Sequence, residues 1–487
     1  MGDFLLQPGI ETAKYNGANM NFLEKFFKLK ENNTTFFREV YTGLMMFLAV
    51  SYILAVNPEI LCSTGMDRGG LFYVTAIAAF FGTLVMALLA NCPLVLAPAM
   101  GLNAFFAYTV VCTMGYSWQI ALFAVVLEGI IFFLLSLSSI REKIIDSIPL
   151  PLKYAMGAGI GLYITLIALK SAHFVQGHAI TLLTMQNFSQ ATFHTYGISS
   201  FLAIFGILLS AYLMHRNIMG ALLFGILGTW GVGIICQLTG LYHVDPANGF
   251  NSLLPVFNMA ALTEPFNGFC ELFGSAFKVS QWTCTDSAAT GISLLLSIDF
   301  AAVCFAFLFT DFFDTVGTVN GAVVNTVLMK KDGSIPLLKK ILLADSIATF
   351  AGGVLGTSTT TTFAESAVGI RAGARTGLAS LTCSLLFLFS LVCAPLFLAI
   401  PGFATAPALV IVGFLMIKSI LLIDWDDIAG AVPAFLLITG TVFTYSISNG
   451  LGLGIISYTV LNCRIKGRVN WLMAVISLIF LLKFLCL

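Results

Sequence analysis

Asp311, Asp314 and Glu365 stand out because each lies in sequence otherwise too apolar to hydrate a carboxylate. Asp311 and Asp314 belong to Thr310-Asp311-Phe312-Phe313-Asp314-Thr315-Val316-Gly317-Thr318, which follows a wholly apolar run at 300–309. Being three apart, they are expected on one side of a helix. Glu365 follows the run Gly356-Thr357-Ser358-Thr359-Thr360-Thr361-Thr362, within Phe363-Ala364-Glu365-Ser366. An ionisable group at bilayer depth costs at least about 2.5–3.5 kcal/mol, so such a group points to function. The bland alternative is a set of satisfied interhelix hydrogen bonds. A carboxylate can accept hydrogen bonds from N–H groups of a neutral planar solute, and one removed from water can take up and release a proton. Phe363 offers a ring face on which a flat solute can stack. Glu128 lies mid-span and is left open. Glu59, Asp67, Asp299, Asp345, Asp424, Asp426 and Asp427 are read as sitting near span ends, where water reaches them.

The elements that position these acids follow from composition. The chain is 59% hydrophobic and only 9% charged, against about a quarter charged in soluble domains. Roughly 20 apolar residues cross the hydrocarbon core as a helix, and such stretches recur, for example at 71–90, 119–137 and 377–400. The expectation is an all-α polytopic membrane protein. A net charge of +0 without a basic tail argues against nucleic acid as a partner. The first residues show neither a cleavable secretory pattern nor a myristoylation motif. The 11 cysteines lie mostly singly in apolar runs and form no metal-ligand spacing. Cys270 and Cys284 fall in a polar connection and can pair if it faces an oxidising compartment. The five histidines, His173, His178, His194, His215 and His243, lie in or beside loops. Catalytic residues, metal ligands and a cofactor are therefore not expected.

Basic residues tend to mark cytoplasmic loops. Lys25, Lys28, Lys30 and Arg38 precede the first span and place the N-terminus in the cytoplasm. Arg141 and Lys143, then Arg216, then Lys330, Lys331, Lys339 and Lys340 mark later connections on that side. Arg371 and Arg375, Lys418, and finally Arg464, Lys466 and Arg468 continue the alternation, which fits about fourteen crossings of the plasma membrane. The organisation expected is a cytoplasmic segment at 1–38, a first seven-span repeat at 39–240 and a long extracytoplasmic connection at 241–292. A second seven-span repeat at 293–463 follows, then a C-terminal segment at 464–487 with an extra apolar helix.

Ile77-Ala78-Ala79-Phe80-Phe81-Gly82 resembles Ile347-Ala348-Thr349-Phe350-Ala351-Gly352, and Ala99-Met100-Gly101-Leu102 resembles Ala367-Val368-Gly369-Ile370. Beside each second match the helix pattern breaks, at Pro93 and Pro98 in one copy and at the threonine run in the other. Proline cannot donate to a helix ladder, and β-branched threonines favour extended backbone. Seven is odd, so two seven-span halves enter the membrane from opposite sides, giving a 7+7 inverted repeat. Paired broken spans, here the third and tenth, are the best sequence pointer to a transporter's midplane site.

Together, these residues resemble the nucleobase–cation symporter-2 superfamily of nucleobase and ascorbate transporters, and most closely its AzgA-like branch of adenine, guanine and hypoxanthine permeases. The motifs carrying the likeness are Phe47–Pro58, Ala97–Tyr108, Asp311–Thr318, Gly356–Gly369 and Ala406–Phe414, in order along nearly the whole chain. The resemblance implies a core and a gate domain, with short strands in the third and tenth spans meeting at the substrate. Asp314-Thr315-Val316-Gly317-Thr318 matches a Glu-His-Val-Gly-His pattern on the eighth span. Asp314 then takes the acidic position, and Thr318 stands where some relatives have histidine. Glu365 matches the acidic or amide residue of the tenth span, with Phe363 and Ala364 beside it, and Asn103 matches a polar residue of the third.

The function these expectations add up to is uptake of purine bases by proton symport, through an elevator-like movement of core against gate. Glu365, Asp314, Asn103, Phe363, Ala364 and Thr318 are the expected substrate contacts, and Asp314, Glu365 and Asp311 the expected proton-coupling groups. The partners are a purine, a proton and the bilayer, with a homodimer as one option for assembly. The same fold carrying a pyrimidine, xanthine or an inorganic anion is the nearest rival; an intramembrane enzyme or a passive channel ranks lower.

Overall fold

The computed structural model describes residues 18–137, 149–178, 182–186, 192–245, 250–255, 260–285, 290–323, 337–465 and 471–486. Met1, Arg141, Lys143, Lys330, Lys331, Lys466 and Arg468, which entered the reading of termini and topology, lie outside them.

Among the described residues, nine helices are long and apolar enough to cross a membrane, and two shorter apolar helices accompany them. The structure is therefore a polytopic helical membrane protein. Its helices pack through glycines, because small residues let backbones approach closely in lipid. At Gly129 an added Cβ would lie 2.5 Å from the Phe350 nitrogen, so helices Trp118–Leu137 and Leu338–Leu355 nearly touch backbone to backbone.

The broken segments are where the threonine and proline signals placed them. Helix Arg68–Val85 is continued by a wider π turn, Met86–Ala90, and ends at Asn91, whose φ is +48°. After it comes strand β1, Leu96–Pro98, and then a half-helix beginning at Met100. In the second copy, helix Leu338–Leu355 closes on Gly356 at φ +103°, which a side chain would strain. A hairpin of β2, Val175–His178, and β3, Leu182–Met185, intervenes in the chain; strand β4, Thr360–Thr362, and half-helix Ser366–Ala372 follow Gly356. Strands β1 and β4 pair antiparallel, with Leu96 opposite Thr362 and Pro98 opposite Thr360.

Two strands alone leave ladder groups unpaired, and buried backbone groups need partners in lipid. Side-chain hydroxyls supply them. Thr83 bonds both the Leu96 carbonyl (2.9 Å) and its N–H (3.0 Å). Ser366 accepts from the Val95 N–H at 2.9 Å, and Ser380 donates to the Cys92 and Leu94 carbonyls, each at 2.9 Å. The two glycines that close the repeated sextets sit beside the crossing: an added Cβ on Gly352 would lie 2.5 Å from Thr360 Oγ1, and one on Gly82 3.1 Å from Leu96 Cβ.

The long connection is ordered where it is described. Its helix Ala260–Leu272 packs on Arg68–Val85, where an added Cβ on Gly70 would come within 2.5 Å of the Gly268 carbonyl carbon. Trp282 is buried against Phe123, ring centroids 4.6 Å apart, and the Ser117 N–H donates to the Thr283 carbonyl at 2.9 Å. The connection thus packs against helices Arg68–Val85 and Trp118–Leu137. Cys270 and Cys284 are both free thiols. Helix Trp471–Cys486 lies on Ile447–Ile465, with Phe480 fully buried over Gly452.

Candidate functional site

Three residues along a helix is about 300° of rotation, and here that difference separates two neighbouring acids. Both belong to helix Ile298–Val323. Asp314 is half-buried and lies in the field of Glu365, whereas Asp311 is fully buried and accepts a hydrogen bond from Thr349 at 3.1 Å. Thr318, four residues beyond Asp314 and on the same helix face, is also half-buried. Among the described residues, none comes within 4 Å of a Cβ added at Gly317, between them in the sequence.

Glu365 leads into half-helix Ser366–Ala372, three residues beyond β4, because the chain must leave the strand before it can turn. It is half-buried and Ala364 beside it is exposed, while Phe363 is only 7% exposed and ties its N–H to the Val95 carbonyl at 2.9 Å. Tyr52, 1% exposed, donates its hydroxyl to Glu365 Oε1 at 2.7 Å. Asp314 and Glu365 lie near enough to feel each other's charge, and both, like Thr318 and Ala364, retain accessible surface. Asn103 does not: fully buried, it accepts a hydrogen bond from the Ser358 hydroxyl, and its Nδ2 has no partner among the described residues.

Asp345 corrects the sequence reading. It is fully buried, not solvated at a span end, because its helix begins at Leu338, about 10 Å earlier along the axis. Thr315 donates to its Oδ2 at 2.6 Å. Glu128, left open by sequence, is fully buried and accepts from Thr359 at 2.7 Å. Tyr52 and the pairing of Thr359 with Glu128 were not foreseen either. The alternation of strand side chains was a usable signal, since Thr359 and Thr361 must point the same way once the run is extended. Glu59, by contrast, does lie at a wet margin. It pairs with Arg68 at 2.8 Å beside a cavity of about 270 Å³, and Arg68 also donates to the Ile400 carbonyl at 2.7 Å.

An apolar helical bundle with two of its spans broken by a buried strand pair surrounds these acids. The chain belongs to the Permease family, whose sequence profile matches residues 37–453. It is 38% identical over 463 residues to the guanine/hypoxanthine permease PbuO of Bacillus subtilis, covering 94% of this chain and 99% of that one. To the adenine permease AdeP of Escherichia coli it is 36% identical over 479 residues, 97% of each chain. Its fold is similar to the transmembrane domain of a cyanobacterial bicarbonate transporter, BicA, with a TM-score of 0.55 at 17% identity, covering 86% of this chain and 97% of that one. The protein is a permease and not an enzyme.

Proposed function

We propose that this protein takes up purine nucleobases by proton symport across the plasma membrane, with its N-terminus in the cytoplasm. The observation that carries the reading is the proximity of two half-buried acids, Asp314 and Glu365, the latter three residues beyond strand β4. Two acids suit the N–H edge of a neutral purine, and the relatives named for guanine, hypoxanthine and adenine span nearly the whole chain. The same two acids repel an inorganic anion, which disfavours that rival cargo.

Glu365, oriented by Tyr52, holds the base edge. Asp314 is the second ligand and exchanges a proton with water, while Phe363 and Ala364 border the base and Thr318 extends the polar wall. Asn103 fixes the tenth-span break through Ser358. The fourteen-span, 7+7 inverted architecture lets a core built around the strand pair move as a unit against the remaining spans, as an elevator. Domain limits at 39–240 and 293–463 follow from that reading.

Uptake of labelled adenine, guanine and hypoxanthine into cells lacking their own permeases, with and without a protonophore, tests it. Asp314→Asn and Glu365→Gln should abolish accumulation while the protein stays in the membrane. Normal uptake by either variant removes that residue from the mechanism, and accumulation that survives the protonophore removes the proton.

A further inference from the structure

Glu128, Asp311 and Asp345 form a second acidic group, fully buried and tied to segment 359–361 through threonine hydroxyls. They come from three helices, Trp118–Leu137, Ile298–Val323 and Leu338–Leu355, and all three are 0% exposed. Each accepts a threonine hydroxyl on one oxygen: Thr359 on Glu128 Oε2 (2.7 Å), Thr349 on Asp311 Oδ2 (3.1 Å) and Thr315 on Asp345 Oδ2 (2.6 Å). The second oxygen of each, Glu128 Oε1, Asp311 Oδ1 and Asp345 Oδ1, is buried and meets no donor among the described residues.

Glu128 and Asp311 also lie carboxyl to carboxyl, within hydrogen-bonding reach. Two carboxylates offer each other only lone pairs, so this contact is attractive only when one of them carries a proton. Other titratable neighbours do not supply positive charge. The Cys304 thiol lies near Glu128, and Asp314, though turned to Glu365, is one helical turn from Asp311 and still within range of its charge and that of Asp345. Among the described residues no ion pair reaches Glu128, Asp311 or Asp345; Lys28–Glu31 and Arg68–Glu59 lie elsewhere. A metal cation would need several oxygen lone pairs turned inward. The threonine hydroxyls instead spend their protons on the carboxylates, and among the described residues no group of acids is spaced to hold a metal.

We propose that Glu128, Asp311 and Asp345 form a proton-binding site separate from the solute-binding acids, and that strand β4 links its occupancy to Glu365. The inference deepens the proton-symport reading and rests on it. A proton from water passes by way of Asp314, one turn from Asp311, and bonds to a carboxylate oxygen of the Glu128–Asp311 pair. It leaves as a proton to water, and no other bond changes. Losing it turns the contact between Glu128 and Asp311 from attraction into repulsion. Thr359, just before the strand, donates to Glu128 and Thr361, within it, to Asp345, and the same segment leads on to Phe363 and Glu365.

Full-length protein in proteoliposomes with a pH-sensitive dye inside tests this, with labelled guanine, hypoxanthine and adenine as probes. In Glu128→Gln the amide can accept from Thr359 and donate to Asp311, so it mimics a permanently protonated acid; Asp345→Asn does the same toward Thr315. Both variants should still exchange labelled for unlabelled purine, but purine-driven proton entry should fall to background and exchange should lose its pH dependence. Variants that move protons with purine in the wild-type ratio overturn the proposal. So does wild-type uptake driven by sodium without proton movement. Infrared spectra of the wild-type protein at neutral pH should show a protonated-carboxyl band that Glu128→Gln diminishes; absence of that band overturns the proposal even if neither variant folds. If wild-type protein exchanges none of the three purines, the substrate reading fails, while the infrared result still decides the acid site.

Discussion

Removing a single hydroxyl, by Tyr52→Phe, probes whether Glu365 needs to be held in place. The Tyr52 ring is 1% exposed and its hydroxyl reaches Glu365 Oε1 at 2.7 Å, so phenylalanine keeps the packing and deletes the hydrogen bond alone. A hydrogen bond to a charged group contributes about 1.5–3 kcal/mol. Glu365 is half-buried, so water can take over part of the lost partner. That partial replacement brings the expected loss below the range, to about 1–1.4 kcal/mol, which corresponds to roughly five- to tenfold weaker purine affinity. Concentration-dependent uptake of labelled guanine, hypoxanthine and adenine should show this as a raised KM with the maximal rate changed less, because the carboxylate itself remains. The thermal unfolding temperature in detergent should move little, since no cavity opens. An unchanged KM for all three bases would refute the idea that Tyr52 positions Glu365. A large fall in thermal stability with unchanged affinity would assign the tyrosine to packing instead.

Two further perturbations test the scaffold. Gly129→Ala places a methyl 2.5 Å from the Phe350 nitrogen and 2.7 Å from its Cα, against backbone that cannot swing away. The expected loss is about 1–3 kcal/mol, read as a lower unfolding temperature of the purified protein. Thr83→Val keeps the shape but removes the hydroxyl that serves both polar groups of Leu96. Stranding them should cost about 1–3 kcal/mol and speed hydrogen exchange at 95–97; unchanged exchange there would mean the strand does not depend on Thr83.

What could be read from the chain, and what could not, divides along one physical line. Asp311, Asp314 and Glu365 were identifiable because charge in an apolar run is conspicuous whatever packs around it. The breaks at 93–98 and 356–362 were identifiable for a similar reason: proline and β-branched runs act on the backbone locally. A soluble helix also advertises its buried face by alternating polar and apolar residues, but these helices are apolar all round, because lipid and neighbouring helices are equally oily. Direction therefore had to come from packing.

Tertiary structure alone decided that Asp311 turns toward Thr349 while Asp314 meets Glu365, although both lie on one helix three residues apart. It alone placed Asp345 in the interior, gave Glu128 the Thr359 hydroxyl, buried Asn103 and brought Tyr52 across 313 residues of chain to Glu365. Local chemistry determines where a membrane chain must break and which groups are costly to bury. Which of those groups meet is set by how the helices cross, and that is a property of the whole assembly of spans.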